Sequence, residues 1–187
     1  MSKKRTAEEL RKASDHLLYE IWMMNRLASI LEGKSNPLFA SRPTSYTNTT
    51  VTTIFTRSTG VIKSSQDNLE EDDTLRVTNN AFIESFGVHI RSLLDFFYSK
   101  GQDDDVVAWQ FFASPTVWEN ARPSKSKEDL KRLKDRVNKE IAHLTYTRQT
   151  VKSKSWPFKE IQDDLNKVAD VFCSLVPKNL LGSRWKQ

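Results

Sequence analysis

A chain of 187 residues is long enough for one domain with a real core, and 37% apolar with 28% charged residues is a globular composition, not a disordered one. Five glycines and six prolines argue against a turn-rich β architecture, a single cysteine excludes an internal disulfide, and no run approaches the ~20 apolar residues of a membrane span. The net charge of +5 is compatible with a polyanion partner without requiring one, and the charged start MSKKRTAEEL lacks the apolar core of a signal peptide, so a cytoplasmic location is expected.

The first predicted element is a long amphipathic helix from about Thr6 to Glu32. Thr6 and Glu9 have the spacing of a capping box, and Leu10, Ala13, Leu17, Ile21, Met24, Ala28 and Leu31 form one apolar stripe. Gly33 stops it. Residues 33–74 read as an insertion. More than half of the stretch from Ser41 to Gly60 is Ser or Thr, without a helical period, and suits either a short hairpin or a loop joining two helices. The acidic run Glu70 to Asp73 reads as a solvated lead-in to the second helix, about Leu75 to Tyr98, whose stripe is Phe82, Phe86, His89, Leu93, Phe96 and Phe97.

After this, DDDVVAWQFF reads as a short helix with three acids at its start, and SPTVWENARPS as a loop. The third long helix begins near Ser126, with Asp129 completing a capping-box pattern and Leu130, Leu133, Val137, Ile141 and Leu144 as its stripe. The fourth runs from about Pro157 to Leu175, and a basic tail, residues 176–187, follows. Four single-stripe helices hide their apolar faces against one another, so the expected fold is all-α, an antiparallel four- or five-helix bundle in a single domain.

The chemistry-bearing stretch is RVNKEIAHLTYTR, residues 136–148. At about 100° per residue, Arg136 and His143 project on the same side of a helix, at roughly 100–120° from the middle of its apolar stripe. Glu140 lies four residues after Arg136 and three before His143, within reach of either. An imidazole can take a proton from a ribose 2′-hydroxyl, and a guanidinium fork can hold the charge that builds on phosphoryl oxygens, so this shoulder has the parts for metal-free phosphodiester cleavage. Arg, Glu and His also make ordinary solvated helix faces. Arg11 and His16 repeat the bare spacing about 140° apart, an accidental pair.

RVNKEIAH resembles the signature of the HEPN superfamily (higher eukaryotes and prokaryotes nucleotide-binding domains), an arginine followed after four to six residues by a histidine. HIRSLLDFF, DDVVAWQFF and NKEIAHLTYTR are also similar to segments of bacterial members, and the likeness covers roughly Thr78 to Leu175. The resemblance implies a compact bundle of four or five helices. It also implies a homodimer in which Arg136 and His143 of two subunits cut RNA without metal. Many active members carry Asn, Asp or His directly after the arginine. Here that position is Val137, and Asn138 projects about 200° away from Arg136. Several members are non-catalytic binding domains.

His89 sits on an apolar stripe and suits either a core histidine or a site lining. Arg91 and Asp95, four apart, suit a surface pair or an extension of an anion pocket. Asp103 to Asp105 point apart and suit a helix start better than a metal, Cys173 reads as packing, and no zinc spacing, phosphate loop or dinucleotide fingerprint occurs. Arg132, Arg148, Lys152 and Lys154 flank the signature and can track an RNA backbone, while Trp156 suits an apolar staple or a base stacker.

The expected function is thus a metal-independent endoribonuclease, with His143 as base, Arg136 on the phosphate, and Glu140 and Asn138 in support. No metal or cofactor is expected. The expected partners are RNA, a second copy and, in a toxin or phage-defence setting, an antitoxin protein, with no membrane. The competing expectation is a non-catalytic helical module that binds a protein or nucleotide.

Overall fold

The computed structural model describes residues 5–33, 68–123, 127–139 and 156–186, and no strand occurs among the described residues. Helix α1 spans Ala7–Leu31. Its start is the expected capping box: Glu9 N–H donates to Thr6 Oγ1 at 3.2 Å, and Thr6 N–H donates to Glu9 Oε2 at 2.7 Å. These two bonds satisfy donors that the first helical turn leaves without partners. Gly33, at φ 68°, takes the left-handed conformation that ends the helix. Leu10, Leu17, Met24 and Ala28 are buried, and Ala13, Ile21 and Leu31 pack partly against the same core.

Helix α2 spans Asn68–Tyr98, so the acidic run Glu70 to Asp73 lies inside the helix and not ahead of it. Charges in a helix's first turns suit its N-terminal dipole, so the acids favour the helix itself. Apart from Gly33 and residues 68–74, the predicted Ser/Thr-rich insertion lies outside the described residues.

Two short segments differ from expectation. The acids Asp103 to Asp105 precede a single 3-10 turn, Ala108–Phe111, which they do not enter. Asp105 instead folds its carboxylate onto the Gln102 N–H at 2.7 Å. SPTVWENARPS is no loop: Pro115–Ala121 is helical (α3), with proline at the first turn, where its missing N–H costs nothing. Its buried Trp118 donates from Nε1 to the Phe97 carbonyl at 2.8 Å, and so carries this short helix into the core with its polar atom satisfied.

Helix α4 covers Lys127–Val137, and residues 138 and 139 continue it in a wider π turn. Helix α5 is Phe158–Leu175. At the centre of the fold, Phe172 of α5 meets the edges or faces of Phe96, Phe111 and Trp118 at centroid distances of 5.3, 5.3 and 5.7 Å. Aromatic pairs in these tilted arrangements add to the stabilisation from burial alone.

The basic segment after α5 docks on α1. Two 3-10 turns, Lys178–Leu180 and Ser183–Lys186, lie against α1. Gly182 N–H donates to the buried Ser14 Oγ at 2.7 Å, Trp185 Nε1 donates to the Ser14 carbonyl at 3.0 Å, and Arg184 N–H donates to Asp15 Oδ1 at 3.2 Å. At the other end of α1, Asn25 Oδ1 accepts from Gln162 Nε2 at 2.7 Å and from Asn166 Nδ2 at 2.8 Å. Helices α1 and α5 therefore run in opposite directions. No helix among the described residues is long and apolar enough to cross a membrane.

Candidate functional site

Arg136 occupies the last turn of α4, beside the buried Val137 that anchors the helix. Its guanidinium carbon lies 4.3 Å from the centroid of the Trp156 ring. Trp156 is only 9% exposed and belongs to the core cluster, immediately before α5. Its carbonyl accepts the Phe158 N–H at 2.9 Å, closing the turn into that helix. Trp156 therefore anchors the start of α5, and its ring is not presented to a nucleic-acid base. A guanidinium held face-on to a ring would keep its N–H donors in its own plane. Contact with a ring and contact with a phosphate are thus compatible.

The chain widens immediately after Arg136. Through residues 138 and 139 the turn is π-helical, so the 100° step that aligns Arg136 with His143 does not hold across this point. The Oδ1 of Asn138, itself partly buried, is sealed from solvent without a hydrogen-bond partner, an arrangement proteins rarely leave in place. Arg132 lies one turn before Arg136 and is exposed. Cations concentrate at this end of α4, where Lys134 and Arg136 stand in its last turn. His143, Glu140, Arg148, Lys152 and Lys154 lie outside the described residues.

Asp95 of α2 reaches this region. Its carboxylate binds the Lys134 ammonium, and Arg91 Nε stands 3.9 Å away on the other side. The Asp95–Lys134 pair fastens α4 to α2 two residues from Arg136. Sequence reading finds Asp95 but not Lys134, because helix periodicity carries no signal for a partner on another element.

His89 is turned elsewhere. Only 8% exposed, it places Nδ1 2.7 Å from Glu20 Oε2 of α1, and the Tyr19 ring meets it edge-on at 5.9 Å. It is a core histidine with a satisfied ring nitrogen, and the contacts described for it join α1 to α2. Glu20 escapes a sequence reading for the same reason as Lys134.

Among the described residues no three His, Cys, Asp or Glu side chains gather closely enough to hold a metal ion. Burial pushes the Cys173 thiol up to about 11, far from a ready nucleophile. Comparison with protein-family models, with curated proteins and with solved structures gives no match to this chain.

Proposed function

We propose that the protein is a metal-independent endoribonuclease of HEPN type, built on a helical bundle with a Ser/Thr-rich insertion and acting in the cytoplasm as a homodimer. The observation that carries this reading is the guanidinium of Arg136, held 4.3 Å over the ring of Trp156 at the cationic end of α4. A stacked guanidinium has fewer orientations to lose when it meets a phosphate. The resemblance of RVNKEIAH to the family signature supports the same role.

In the proposed reaction His143 takes the proton of a ribose 2′-hydroxyl. The 2′-oxygen bonds to phosphorus, the bond from phosphorus to the 5′-oxygen breaks, and the departing oxygen gains a proton from solvent. Arg136 stabilises the charge on the non-bridging oxygens. Glu140 orients the imidazole, and Arg132, Arg148, Lys152 and Lys154 hold the RNA backbone. Such an activity suits a toxin or phage-defence protein restrained by an antitoxin.

The second reading is a non-catalytic helical module for a protein or nucleotide partner. The same stack favours it, since a cation over a core tryptophan also has a purely structural use. Incubation of mixed RNA in EDTA with the wild type and with an Arg136→Ala/His143→Ala variant separates the two. Cleavage by the first protein alone is the expected result. Equal cleavage, or none, returns the molecule to the second reading.

A further inference from the structure

We propose that the outward face of α1 around Tyr19, Trp22 and Arg26 is a stacking strip for unpaired RNA bases, distinct from the Arg136 region. Tyr19 is 44% and Trp22 52% exposed, large rings that the core does not use. Steps of three and four residues place all three side chains on one helix face. The ring centroids of Tyr19 and Trp22 lie 6.3 Å apart with planes 32° from parallel, and the Arg26 guanidinium carbon lies 6.0 Å from the Trp22 ring.

The strip is supported from beneath. Tyr19 leans on the buried His89, whose ring nitrogen is fixed by Glu20. The nearest acid on α1 is thereby engaged inward. Among the described residues no carboxylate pairs with Arg26. Two π faces beside an outward guanidinium match the chemistry of a single strand, in which every base offers a face and every link a phosphate. A protein partner would match the rings but would have to desolvate the guanidinium or supply its own acid.

Position adds to the case. Asn25, beside Arg26, bonds Gln162 and Asn166 near the start of α5, and Trp156 with Arg136 over it stands just before that helix. The stacking itself does not rest on the proposed function.

The test is binding of a labelled short single-stranded RNA to the full chain carrying Arg136→Ala/His143→Ala, so that the probe stays intact. Adding Tyr19→Ala/Trp22→Ala should weaken binding roughly 5- to 150-fold for each base that loses its ring. Trp22→Phe should keep most of the affinity, and Arg26→Gln should lower it and flatten its salt dependence. A duplex of the same sequence should be indifferent to the ring substitutions. Thermal melting of each variant close to that of its parent confirms that these exposed changes leave the fold intact. Unchanged RNA affinity in the ring variant overturns the proposal, and so does loss of self-association with RNA affinity intact, which marks a protein interface. If the wild type fails to cleave RNA while ring substitutions still abolish binding, the strip stands and the ribonuclease reading falls. If the wild type cleaves RNA while binding ignores the ring substitutions, the ribonuclease reading stands and the strip falls.

Discussion

Arg136 and Trp156 bring the last turn of α4 to the start of α5, with a guanidinium 4.3 Å from the ring centroid of a buried tryptophan. Arg136 ends α4 and Trp156 precedes α5, so the contact ties the candidate phosphate-binding group directly to the core. Removing the ring should be costly. Trp156→Ala is expected to destabilise by about 3–5 kcal/mol, from lost burial and the cavity left behind. Arg136→Ala should cost about 0.5–2 kcal/mol, and less when Trp156 is already Phe or Ala. Denaturant titration of the four corners of this cycle measures the coupling, and strictly additive costs would show that the stack stabilises nothing.

The Glu20–His89 pair makes a second link of this kind, between α1 and α2. Glu20→Gln and His89→Gln should each cost about 1–3 kcal/mol, because each leaves a partly desolvated polar atom poorly matched. The double variant should cost less than the sum. Additive costs would contradict a direct bond at 2.7 Å.

The docked C-terminal segment depends on Ser14, which is fully buried and accepts the Gly182 N–H. Ser14→Ala should leave that amide without an acceptor, at about 1–3 kcal/mol. Hydrogen exchange should quicken first at residues 182–185. A Cβ at Gly182 would fall inside the Asp15 carboxylate, so Gly182→Ala should loosen the same segment by displacing the acceptor of Arg184 N–H. Unaltered exchange in both variants would show that the segment is held by other contacts.

Cys173 sets a pH dependence. Burial, then the charge of Asp170, raises its thiol to about 11, above the ordinary value of 9.0. The folded state therefore holds the proton more tightly than the unfolded chain. The stability linked to it is complete below pH 9 and declines as pH rises towards about 11. The thiolate is the reactive form, so alkylation at pH 8 should run on the order of a hundredfold slower than in the denatured protein. A native rate equal to the denatured one would contradict the burial of this thiol.

What is legible in the sequence follows the reach of each signal. The capping box of Thr6 and Glu9 and the stripe of α1 involve neighbours along the chain, and both appear as expected. Helix α3 looks like a loop in the sequence because its stabilisation comes from Trp118 reaching the Phe97 carbonyl and the Phe172 ring, which no local period announces. Glu20 and Lys134 are invisible for the same reason: each acquires its meaning from a carboxylate or imidazole on another helix. The π turn at 138 and 139 is likewise set by context, and it falls inside the motif on which the functional reading depends. Arg136 stands out as a candidate, but its seat on Trp156 does not, because the two stand twenty positions apart.

The chemistry of the RNA ends decides the functional reading. A defined RNA and its counterpart with every 2′-hydroxyl replaced by hydrogen are incubated in EDTA with the wild type, Arg136→Ala and His143→Ala. The expected result is cleavage of the RNA by the wild type alone, with 2′,3′-cyclic phosphate and 5′-hydroxyl ends, and no cleavage of the deoxy strand. Cutting of the deoxy strand, or fragments that persist undiminished in either variant, would contradict a histidine base acting on a ribose hydroxyl beside Arg136.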